Sequence, residues 1–239
     1  MSLTGPDPTH PLFNPGSGGH PLPSDPREIA AVLRATQRSY DTHPYYHARY
    51  GVRGRSFAHA DGGYLVTLTT TRQSYVHEQI VWLASVLAAR GMPSWLLEHH
   101  LRVLQEELDS EVPGGSARYA KLGRAAERLR KLRCARMAQG DFDAVAADFD
   151  LTAGAGIDNV GCLLACAVCD ERGGSDRAVP SLVSWLGDAG RFSHRWCSAV
   201  TRAVANARSM PVPNAWCERV GRCRRSRATT GSLRRCASR

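Results

Sequence analysis

Cys166-x2-Cys169 and His194-x2-Cys197 are two pairs of soft ligands with twenty-four residues between them, a spacing from which a tetrahedral zinc can draw four ligands. On a helical wheel Cys162, Cys166 and Cys169 share a face about 60° wide, so their sulfurs can converge. The same thiols also read as core. Leu163, Leu164, Ala165, Ala167 and Val168 surround them with no Gly or Pro to shape a metal knuckle, and a reduced cysteine packs as a small apolar residue. Core packing is the reading taken forward, with the zinc set Cys166, Cys169, His194 and Cys197 as its alternative.

A second constellation is His43-Pro44-Tyr45-Tyr46-His47 followed by Tyr50, which sets two histidines one helical turn apart. That separation suits a metal or an anionic ligand, and Arg49, Arg53 and Arg55 nearby would make His43, Tyr46, His47 and Tyr50 an aromatic, cationic binding patch. The bland reading is that the rings cover the core. His99 and His100 lie in a leucine-striped helix. The wheel points His99 to solvent and puts His100 about 70° from the stripe's centre, where a boundary histidine is a candidate haem ligand or simply bonds to backbone.

A third is cationic. Lys121, Arg124, Arg128 and Lys131 line one face of a helix, opposite its apolar stripe, with Glu127 as the only counter-charge. Such a face can grip phosphates or an acidic partner, or remain a solvated surface. Residues 217–239 hold eight arginines against the single acid Glu218 and so supply +7 of the chain's formal +9. The basicity therefore describes a tail, and gives no ground for nucleic-acid binding by the folded part. The tail reads either as a basic arm or as a segment never selected to fold, from translation out of frame.

Several motifs fall short. Cys162-x3-Cys166-x2-Cys169 has the letters of the cluster motif of radical S-adenosylmethionine enzymes, but it lies inside an apolar helix instead of a loop opening an α/β barrel. His77-Glu78 has Val81 where a zinc-protease helix needs its second histidine, and Gly154-x-Gly156 has Asn159 where a dinucleotide loop needs glycine. No motif calls for a cofactor.

The elements that must position these residues read as helices. Asp25, Pro26 and Glu28 form a complete start signal, with Glu28 placed to bond back to the cap. A helical stretch from Pro44 breaks at Gly51 and resumes near Arg55. Gly63–Thr71 favours strand by composition, but has nothing to pair with and is taken as helical. Val76, Ile80, Leu83 and Leu87 form one stripe and Leu97, Leu101, Leu104 and Leu108 another, predicting an antiparallel hairpin over 74–112 with its first helix central. A long helix is expected from Ser116 to Gln139, an acidic one packing Phe142, Val145 and Phe149, an apolar one capped by Asp158, and two more near 180–185 and 193–208.

The expectation is an all-α chain: a single helical-bundle-like domain of about eight helices over 25–208, between a disordered Pro/Gly-rich leader (1–24) and a disordered Arg-rich tail (209–239). Seven of thirteen prolines fall in residues 1–26, and no apolar run is long enough for a membrane span or a secretory signal. With eight cysteines read as reduced thiols, the cytoplasm is the expected compartment. The function expected is a non-catalytic interaction or regulatory module. Its partner would be another protein, with nucleic acid reached only through the basic tail or basic helix face. The alternatives are a metal- or haem-binding sensor and an enzyme of unrecognised type.

Overall fold

The start signal works at the cap: the Asp25 carboxylate accepts from the Arg27 N–H at 2.9 Å and Pro26 opens α1 (Pro26–Thr42). Glu28 departs from the capping-box expectation. It is buried, accepts from the Tyr119 hydroxyl at 2.6 Å and pairs with Arg118 at 2.7 Å, because a buried phenol needs an acceptor more than the solvated cap does.

This computed structural model describes residues 9–17 and 19–213, and among them the chain is all-helical, with nine helices and no strand. After α1 come α2 (Pro44–Leu68), α3 (Gln73–Ala89), α4 (Ser94–Glu111), α5 (Ser116–Cys134), α6 (Gln139–Ala153), α7 (Val160–Arg172), α8 (Ala178–Leu186) and α9 (His194–Ser209). None is long and apolar enough to cross a membrane. All but the first few residues of the expected Arg-rich tail lie outside the described residues.

Two apolar clusters form the interior. One gathers α1–α5, the other α6–α9 with Tyr45, Leu96 and Met137. α4 feeds both, presenting Leu97, Leu101, Leu104 and Leu108 to the first and Leu96 to the second. α7, apolar on nearly every side, is buried through Leu163–Asp170 as its composition requires.

Four expectations need correction. The described residues of the leader expected to be disordered, 9–17 and 19–24, rest on the helices: Leu12 is fully buried against Gly63, whose missing side chain admits Leu12 and Leu22, and the His10 ring bonds the Pro23 carbonyl at 2.9 Å. Two docking leucines are invisible in an average over two dozen residues. α3 is not the central helix, since Tyr75, Val81 and Trp82 are exposed; α4 takes that place, packing chiefly on α5 and α1. The long helix ends at Cys134, because buried Met137 pulls the turn inward, and Gly140 falls in the first turn of α6. Asn159, left-handed at φ 65°, precedes α7 where Asp158 was expected to cap it, and its amide donates to the Thr42 carbonyl.

Candidate functional site

α2 is one helix bent in the middle. Gly51, at φ 55° and ψ −148°, holds a conformation essentially reserved for glycine and turns the chain between Tyr50 and Val52. Residues on both sides of the bend face the same space: Tyr46, Arg49 and Tyr50 before it, Arg53, Phe57 and Asp61 after it. α1 adds Thr36, Ser39 and Tyr40, α4 adds Leu96, Leu97 and His100, and Trp82, Leu83, Val86 and Leu87 of α3 form the opposing wall. Gly16, Ser17 and His20 lie against it ahead of α1, with the His20 ring on Tyr64 at 4.5 Å. The result is a cavity of about 760 Å³. It separates α3 from α4, so the predicted hairpin is joined by its turn but packs only lightly.

The polar groups of this cavity are few. Asp61 has no hydrogen-bond or ion-pair partner among the described residues, and burial raises its pKa to about 6, against the pull of His20 and Arg90. The Thr36 hydroxyl is buried without a partner among the described residues. His100 Nδ1 lies 2.9 Å from Ser39 Oγ, and burial, with the nearby His99, lowers its pKa to about 4, so the ring is neutral at pH 7. Tyr40 and Tyr46 stack at 5.0 Å, and burial pushes the Tyr40 phenol up to about 12 and that of Tyr46 higher. Both phenols stay protonated. Arg49 is committed, donating to Tyr45 Oη at 2.6 Å and the Ser181 carbonyl at 2.8 Å. Among the described residues neither Arg53 nor Arg90 donates a hydrogen bond or forms an ion pair through its guanidinium, and that of Arg53 lies 6.0 Å from the Phe57 ring centre.

Part of the aromatic segment therefore belongs here. Tyr46 and Tyr50 line the cavity, and the Tyr50 hydroxyl donates to the Arg90 carbonyl at 3.1 Å. His43 and His47 do not act as a pair. Pro44 starts α2, which leaves His43 outside its face pattern, buried with neither ring nitrogen bonded to a described residue and edge-on to Trp95 and His99 at 4.9 and 4.6 Å; His47 is exposed. His99 itself is not the solvent-facing residue expected, since its Nε2 is buried against that contact. His100, the haem candidate, lines the cavity.

The basic face divides by role. Lys121 donates to the Thr69 and Thr71 carbonyls at 2.7 and 2.6 Å, closing the end of α2, and Arg124 donates to the Gln73 amide oxygen at 2.7 Å. Lys131 stands 3.9 Å from Glu127, and Arg128 is exposed.

The zinc set is not assembled: among the described residues no three His, Cys, Asp or Glu side chains converge as metal ligands. Cys166 accepts from the Trp95 N–H at 3.2 Å, Cys197 donates to the Phe192 carbonyl, and His194 is exposed at the start of α9. Burial raises the Cys169 thiol to about 12 and Cys166 well up, so both stay protonated.

Sequence reasoning named Arg53 beside the aromatic segment but missed Asp61, Arg90, Phe57 and Trp82. One signal was available: Asp61 stands one turn from Phe57 and Leu65 on an inward stripe, where an acid has no reason to be unless it faces a cavity. Compared with protein-family models, curated proteins and solved structures, the chain gives no significant match in any of the three.

Proposed function

We propose that this chain is a non-catalytic, cytoplasmic regulatory module that takes up a small molecule in the cavity between α1, α2, α3 and α4. The observation that carries the reading is the combination in one space: about 760 Å³, walls of aromatic and aliphatic side chains, and an Asp61 carboxyl without a hydrogen-bond partner among the described residues. Ligand pockets are of this size and kind, mostly apolar with a few placed polar groups. Binding is favoured over catalysis because the His100 ring, its pKa held near 4 by burial, is too weak a base to activate the Ser39 hydroxyl beside it, and no thiol among the described residues lines the cavity. Contact with a protein partner is then the output. Filling the cavity ties α3 to α4 and changes how the exposed Tyr75, Val81 and Trp82 are presented.

The test is a titration with N-phenyl-1-naphthylamine, an uncharged probe whose fluorescence rises in apolar surroundings. Saturable binding that disappears in Val86→Trp, which fills the cavity from its α3 wall, is the expected result. Binding indifferent to that substitution, or absence of binding both of this probe and of its sulfonated analogue, removes the reading.

A further inference from the structure

Three guanidinium groups line the cavity, and they differ in what they already do. Arg49 is tied to Tyr45 and Ser181. Arg53, just past the bend in α2, and Arg90, at the end of α3, both stand exposed, and neither guanidinium has an acceptor among the described residues. Elsewhere in the fold arginines are typically paired: Arg34 and Arg38 reach Glu106, Glu107 and Glu111, and Arg118, Arg133 and Arg208 each hold a carboxylate. Asp61 is the only carboxylate among the lining residues. The balance of fixed charge is thus three cations to one anion, with the two free cations on separate helices beside an apolar interior.

Resting on the binding role proposed above, we infer that the ligand is an amphipathic anion: an aromatic or aliphatic body between Phe57, Trp82 and Leu83, and a carboxylate, sulfonate or phosphate head held by Arg53 and Arg90. A guanidinium supplies paired donors to such a head, and bonds to charged groups are the stronger ones. The apolar walls exclude a free inorganic anion, which would leave most of the space without contacts. Asp61, one turn beyond Phe57 from Arg53 along α2 and within the electrostatic reach of Arg90, gives a hydroxyl or amide on the body an acceptor and repels a second anionic group.

The test uses two probes that share one aromatic body. 1-Anilinonaphthalene-8-sulfonate is N-phenyl-1-naphthylamine with a sulfonate added. Both are titrated against the full chain at fixed salt, and signal remaining in Val86→Trp is subtracted as binding outside the cavity. The sulfonate is expected to bind about tenfold more tightly or better, the effect of one charge-assisted bond at a half-exposed site. In the double variant Arg53→Gln, Arg90→Gln the two probes should bind equally. Equal affinities in the parent, or a sulfonate advantage that survives the double variant, overturn the anionic head while leaving the cavity's binding role intact. Failure of both probes to bind overturns the binding role itself, and this inference with it.

Discussion

Asp170 of α7 caps α4 from seventy-six residues away: its carboxylate accepts from the Ser94 N–H at 2.8 Å and from Ser94 Oγ at 2.6 Å. Pro93 stands at the N-cap with no side chain able to accept, so the first turn of α4 depends on this outside group. Cys166, one turn earlier on α7, takes the Trp95 N–H. The acid and the thiol thus join the two apolar clusters through one helix end.

Replacing Asp170 tests that joint. Asp170→Ala leaves a buried N–H and hydroxyl without acceptors and should lower stability to urea by about 1–3 kcal/mol. Asp170→Asn keeps one accepting oxygen and should lose less. Equal, negligible losses in the two variants would show that water or a neighbour caps α4 instead.

The pH response of His100 has a definite sign. Its folded pKa, about 4, lies below the ordinary 6.5, so its contribution is complete above pH 6.5 and is lost as pH falls towards 4. Asp61 and Asp170, raised to about 6, act oppositely, being most favourable below 3.8 and losing their contribution as pH rises through 6. His43, lowered to about 4, follows His100. The difference between His100→Gln and the parent isolates one ring: the variant's deficit at pH 7 should shrink by about 3 kcal/mol between pH 6.5 and 4. A deficit flat across that range would remove the assignment.

Lys121 and Arg128 separate structure from surface on the basic face. Lys121→Met frees two carbonyls at the end of α2 and should cost about 1.5–3 kcal/mol, the range for bonds to a charged donor. Arg128→Gln should change stability by less than about 0.5 kcal/mol. Paired denaturation curves decide it.

Arg133 and Glu98 form a buried ion pair at 3.3 Å, with the guanidinium 4.5 Å from the Phe142 ring. Arg133→Met leaves Glu98 with only the half-exposed Arg102 and should cost about 3–5 kcal/mol. Adding Glu98→Met should recover most of the loss. A double variant as weak as the single one would mean that the ring contact, not the charge, dominates.

Gly51→Ala places a side chain at a backbone conformation only glycine tolerates, and should cost about 1–3 kcal/mol. Nothing lies near the added carbon, so the penalty is conformational alone. Because the bend brings Arg53 and Phe57 to Tyr46 and Tyr50, affinity for N-phenyl-1-naphthylamine should fall with stability. Unchanged affinity would detach the cavity from the bend.

Local patterns in the chain settle the helical class, most helix boundaries, the interruption at Gly51 and the burial of α7, though the helix resumes directly at Val52 and not near Arg55 as expected. These follow from caps, glycine stops and apolar spacing, which act between residues a few positions apart. Long-range packing sets α3 and α4 apart around a cavity and leaves Asp61 facing it with no hydrogen-bond partner among the described residues. It also decided that Lys121 closes another helix and that Cys166 and Asp170 cap α4. Each of those outcomes depends on which groups meet across tens of residues, and a donor's need for an acceptor does not record in the sequence where that acceptor will come from.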